Sequence, residues 1–91
     1  MAILLDTPDV RLIVFRIEPG QAVAPHHSAS TVLLTVLEGS GLLAGREGER
    51  QCSVGDVVAY EPGETHGMRA VAQRLVLLAT ITPRPSERGR A

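Results

Sequence analysis

The sequence predicts an all-β domain, a sandwich or barrel of short strands. Two observations carry that prediction. Short aliphatic and β-branched runs alternate with Gly- or Pro-containing turns at intervals of about ten residues. No window of helical length shows three-four apolar spacing without a Gly or Pro inside it. Taken in order, residues 1–5 are a very short apolar run closed by Asp6, and residues 10–18 (VRLIVFRIE) form a strand stopped by Pro19-Gly20. Residues 31–37 (TVLLTVL) form the next strand, closed by Glu38-Gly39-Ser40-Gly41. Residues 42–44 then lead through the turn Gly45-Arg46-Glu47-Gly48 into a returning hairpin strand over 49–54. Gly55-Asp56 turns the chain into a strand over 57–60, and Glu61-Pro62-Gly63 turns it again into one over 66–71. The last and most apolar strand covers 73–82 (QRLVLLATIT).

Ninety-one residues make one domain with a modest core, so its net stability is small unless a partner or bound ion adds to it. Hydrophobic residues are 44% of the chain but aromatics only 2%, so Val, Leu, Ile and Ala must fill the interior. The domain runs 1–82. The segment 83–91 (PRPSERGRA) has no large apolar side chain and is expected to be a mobile tail.

Charge excludes some partners. Nine basic residues, all arginine, face ten acidic ones. A nucleic-acid surface needs a clustered basic excess, and stacking on single strands needs aromatic side chains; neither exists here. No run approaches the length of a membrane span. A single cysteine, Cys52, fits a reducing compartment, so the expected location is cytoplasmic; its thiol reads as buried packing rather than a reactive group.

The chemistry-bearing residues are the three histidines. His26 and His27 follow Pro25, and His66 stands three residues after Gly63. Two histidine-bearing segments, each beside a turn that opens a strand, are candidates to meet in space.

These residues resemble the two motifs of the cupin family. The first motif is Gly, five residues, His, one residue, His, three or four residues, Glu, six residues, Gly. Here Gly20 is followed at that distance by His26, and Val36-Leu37-Glu38-Gly39 matches its ending. In the second motif Gly55, Gly63 and His66 fall in step, while Pro62 sits one position late, with Glu61 in the usual Pro place. The resemblance covers residues 20–70. It implies a small antiparallel jelly-roll barrel and, in the family's usual form, one divalent metal held by two His of the first motif, its Glu and the His of the second.

Carried over position by position, the first ligand is His26 and the last is His66. The second His position holds Ser28, the Glu position Val32, and the usual Asn position Ala70. Strand alternation puts His26, Ser28, Ser30 and Val32 on one side and His27 on the other. His27 becomes a third nitrogen ligand only if a bulge turns it inward. Glu64, two residues before His66, and Glu61 are alternative carboxylates, and two His with one carboxylate suit non-heme iron. An ion held mainly by imidazoles would be zinc, iron, copper or nickel rather than magnesium or calcium. Ser28, Val32, Met68 and Tyr60 are the expected cavity lining.

Three readings stay open. One is a domain binding a divalent metal, a small-molecule ligand or both through His26 and His66. Another is a metal-dependent oxygenase or isomerase, and a third is a metal-free ligand-sensing or interaction module; fold alone does not choose. Exposed strand edges make a homodimer the expected assembly, with segment 1–6 or strand 73–82 as its natural contacts.

Overall fold

The computed structural model describes residues 1–85 and contains eight strands and no helix. These are β1 (Ala2–Asp6), β2 (Arg11–Ile17), β3 (Ala22–His26), β4 (Thr31–Gly45), β5 (Gly48–Ser53), β6 (Val57–Tyr60), β7 (His66–Arg69) and β8 (Leu75–Thr82). Every pairing is antiparallel. One sheet runs β1-β2-β8-β4-β6. The other runs β3-β7-β4-β5. The two share β4, so the strands curl into the predicted all-β jelly-roll architecture.

β4 departs from the expected pattern. The turn anticipated at Glu38-Gly39-Ser40-Gly41 does not end the strand, which continues for 15 residues. Its first half pairs with β8 and β6, its second with β5 and β7. The register shifts between Val36 and Glu38 against β8, and Gly39 adopts a φ of 74°. An added Cβ at Gly39 would collide with the Arg74 carbonyl oxygen. At Gly41 a Cβ would lie 2.6 Å from both the Arg69 carbonyl oxygen and the Leu75 side chain. The glycines therefore mark a bend where backbones approach closely, not a stop.

The other predicted strands appear within one to three residues of their expected ends. β1 forms from the short opening run, and β3, for which no strand was expected, ends on the first histidine. Asp56 serves its turn, accepting a 2.8 Å bond at Oδ2 from the Ser53 N–H. The tail expectation falls largely on residues 86–91, outside the described set. Its first residues are tied down: the Pro83 carbonyl accepts a 2.6 Å bond from Ser30 Oγ, and the Arg84 N–H donates to the Pro8 carbonyl at 3.2 Å. β8 lies between β2 and β4, so it offers neighbours a face and not an edge.

The core follows strand alternation. Ile13 and Ile17 of β2, Val32, Leu34 and Val36 of β4, and Leu75, Leu77, Ala79 and Ile81 of β8 are buried from the first sheet. Leu43, Cys52 and Met68 meet them from the second. Tyr60 ties the layers together: its hydroxyl donates a 3.0 Å bond to the Ala44 carbonyl, across from β6 to the far half of β4.

Two outcomes follow from this packing. Gly39→Ala forces an alanine into the left-handed region against a backbone oxygen and should cost about 3 kcal/mol or more, measured as a fall in urea midpoint. Tyr60→Phe keeps the ring but removes its bond to the Ala44 carbonyl; a loss of about 1 kcal/mol is expected, and an unchanged midpoint would show that bond to be idle.

Candidate functional site

His26 ends β3 and His66 opens β7, and the two stand directly opposite one another in the β3–β7 ladder. The register of that ladder shifts between Val23 and His26. Pro25, which has no N–H to donate, sits in the shifted stretch, and β3 is an edge strand where such a residue is tolerated. Gly67 lies against Pro25, with no room for a Cβ beyond 3.2 Å. The irregularity therefore comes before His26 and leaves His27 exposed beyond the strand end.

The cross-strand pairing brings the two predicted histidines together. Their ring centroids are 4.3 Å apart at an interplanar angle of 61°. His26 is exposed at the rim, whereas His66 is 4% exposed. Tyr60 lies beside His66, with ring centroids 5.1 Å apart. Each imidazole is held the same way. His26 Nδ1 donates to the Ala24 carbonyl at 3.1 Å, and His66 Nδ1 donates to the Glu64 carbonyl at 3.2 Å. A carbonyl can only accept, so both Nδ1 atoms carry the proton, and in the neutral rings Nε2 keeps its lone pair.

Electrostatics keep His66 neutral. Burial pushes its pKa below the usual imidazole value, and the positive forms of His26 and His27 push the same way. The Glu64 carbonyl bond and the Glu64 carboxylate oppose the shift. Burial drives the Tyr60 phenol up to about 12, so it is a hydrogen-bond donor and not a base near neutrality. The buried Cys52 thiol is likewise raised, mainly by burial and then by Asp56, as suits packing rather than nucleophilic chemistry.

Among the described residues no group of three His, Cys, Asp or Glu side chains could hold a metal ion. Ser28 is buried, and its Oγ already accepts a 3.0 Å bond from the Ser30 N–H. Val32 and Met68 are buried as well. Glu64 is engaged elsewhere. Its Oε1 accepts from the Glu61 N–H at 3.1 Å and lies 4.0 Å from Arg46 Nη2, which also sits 4.0 Å from Glu61.

Glu64 instead lines a cleft of about 420 Å³ between the β4–β5 hairpin and β6. Leu43, Val58 and Tyr60 form its apolar floor, with Arg46, Arg50, Glu47 and Glu49 around it. Of the expected lining residues only Tyr60 reaches this cleft, and neither His26 nor His66 does. Sequence reading missed it. The available signal was register, since Arg50 pairs with Leu43 and so faces the same side.

The fold has close relatives among solved structures. The TT1209 protein from Thermus thermophilus superposes with a TM-score of 0.84 at 28% identity, over 93% of this chain and 85% of its own. An RmlC-like cupin protein from Desulfovibrio desulfuricans gives a TM-score of 0.82 at 25% identity, over 90% of this chain and 79% of its own. A Thermotoga maritima protein described as a predicted oxalate decarboxylase gives 0.75 at 24% identity, over 80% and 65%. No curated protein sequence matches this chain significantly. The cupin domain family model matches residues 13–81, from the second strand to the eighth, and the chain therefore belongs to the cupin family.

Proposed function

We propose that this cupin domain binds a divalent transition-metal ion through Nε2 of His26 and His66 and offers its remaining positions to water and a small-molecule ligand. The observation behind the reading is the cross-strand pairing itself, with rings 4.3 Å apart and both Nδ1 atoms donating to backbone carbonyls. Metal-bound histidines ordinarily have their second nitrogen oriented in this way. The depressed His66 pKa favours the neutral, ligating form.

The donor set fits such an ion in part. Two imidazoles are in place and a carboxylate is not, because Val32 occupies its position and Glu64 is held by its own turn and by Arg46. Imidazole donors beside an apolar wall suit zinc, iron, copper or nickel. When bound, the ion would supply Lewis acidity to a coordinated oxygen. This chain's residues orient the donors and cover one side of the pair with the Tyr60 ring. The enzymatic alternative, an oxygenase or isomerase, needs a general base, and neither Tyr60 nor Glu64 is disposed to act as one toward the histidines. A binding or sensing role is therefore preferred. The unpaired Cys52 suits a reducing, cytoplasmic setting.

A second, metal-free reading rests on the cleft beside Tyr60. Its volume of about 420 Å³ lies within the range that small molecules occupy.

Elemental analysis of the tag-free protein separates the two. Near-stoichiometric metal is expected in the wild type, with affinity reduced at least about tenfold by His26→Ala and by His66→Ala alike. No uptake of zinc, iron, copper or nickel would leave the cleft as the working site.

A pH dependence follows from His66. Its folded-state pKa is below the ordinary value of 6.5, so the unfolded chain takes up the proton first as the pH falls. The metal-free protein should hold its full stability above pH 6.5 and lose part of it as the pH falls through the folded-state value. His66→Gln should flatten that slope in urea unfolding.

A further inference from the structure

Packing alone does not account for Arg50. On β5 it shares one side with Gly48 and Cys52, and it pairs with Leu43 across the β4–β5 ladder. Leu43 and Cys52 are core residues, 1% and 3% exposed. That side of the strand is therefore its inner side, where a residue that only packs would be apolar. An arginine is tolerated there because β5 and β6 both pair with β4 and not with each other. The gap between them is the cleft of about 420 Å³.

The charges around this cleft divide into committed and free ones. Glu49 turns to the outer face, where two bonds of 2.6 and 3.0 Å hold it to Arg69. Glu64 has one oxygen, Oε1, on the Glu61 N–H and 4.0 Å from Arg46 Nη2. Glu47 is exposed in the hairpin turn. Asp56 shares a smaller cavity with Arg50, but its carboxylate is held by the Ser53 N–H. Among the described residues Arg50 has neither an ion pair nor a side-chain hydrogen bond.

The walls decide what such a guanidinium can hold. Leu43, Val58 and the Tyr60 ring give it apolar surroundings. Gly45 and Gly48 line the hairpin end without side chains. A Cβ on Gly45 would stand 3.2 Å from Tyr60 Cε1 and 3.7 Å from Glu64 Oε2, so the second Glu64 oxygen lies at the Tyr60 end of the cleft. A planar guanidinium takes a carboxylate through two parallel N–H bonds, and apolar neighbours that exclude water strengthen them. The Glu64 carboxylate in the same cleft repels a second negative charge.

On these grounds we propose that the cleft binds a small monocarboxylate with a compact apolar body. The carboxylate sits on Arg50, and the body covers Leu43, Val58 and Tyr60. The proposal rests on the reading of this cleft as a small-molecule site. A dianion, whether dicarboxylate or phosphate, meets Glu64; a cation meets the free guanidinium; an uncharged ligand leaves Arg50 unused.

Titration with cyclohexanecarboxylate, its uncharged amide and the corresponding dicarboxylate tests the proposal on the tag-free protein. Tyr60 is the chain's one tyrosine and there is no tryptophan, so tyrosine emission reports on the cleft, and calorimetry gives the affinities. The monocarboxylate is expected to bind saturably and to change that emission, with the amide and the dicarboxylate at least about tenfold weaker. Arg50→Gln should reduce the monocarboxylate to the affinity of the amide. Should that variant lose its β-sheet circular dichroism, Arg50→Lys keeps the charge without the fork and should still cost at least about threefold. Glu64→Gln should raise the affinity of the dicarboxylate, and Arg16→Gln, on the other sheet, should change nothing. Equal binding of carboxylate and amide, or binding indifferent to both Arg50 variants, overturns the proposal while a responding Tyr60 emission keeps the cleft as a small-molecule site. A dicarboxylate bound by the wild type as tightly as the monocarboxylate overturns the choice of a single negative charge. No binding and no emission change with any of the three probes overturns the proposal and the cleft reading together.

Discussion

The bend in β4 is the constraint on which the barrel depends. One 15-residue strand contributes its first half to one sheet and its second half to the other, so the layers are joined covalently as well as by packing. The bend is possible because Gly39 accepts a left-handed backbone and because Gly39 and Gly41 leave room for the carbonyls of Arg74 and Arg69. Side chains on either side then fall into one interior: Val32, Leu34 and Val36 from the first half, Leu43 from the second. A straight β4 would leave the second sheet with nothing to close against.

The histidine pair is a consequence of that closure. β7 is held between β4 and β3, and its register sets His66 opposite His26 at the free edge of the second sheet. Tyr60 comes from the other sheet, bonds to the Ala44 carbonyl beyond the bend, and lies against the buried imidazole. One hydroxyl thus links the core to the site. The same ring also lines the cleft shared with Glu64, Arg46 and Arg50, so Tyr60 stands between the histidine pair and that cleft. Burial sets their chemistry, keeping His66 neutral and Tyr60 protonated.

The two outer faces give the domain a direction. The polar sheet carries the Arg69–Glu49 pair and the histidine edge, while the other presents two uncharged rows.

Much of this was legible in the residues. Strand positions followed from aliphatic runs punctuated by Gly and Pro, because those residue types act locally on the backbone. The pairing of His26 with His66 followed from motif spacing, as did the loss of a carboxylate at Val32. Three features depended on contacts between distant segments. Gly39 and Gly41 look like a turn in sequence, and only the nearness of Arg74 and Arg69 turns them into a bend. Glu64 has the spacing of a ligand beside His66, but its own turn and Arg46 draw it into the cleft. The uncharged outward face appears only when five strands are set in register, since no single strand is apolar enough to reveal it. The sequence by itself determined which segments are strands and which residue types can carry chemistry; the tertiary structure decided which of them meet, because register and burial are properties of strands packed together.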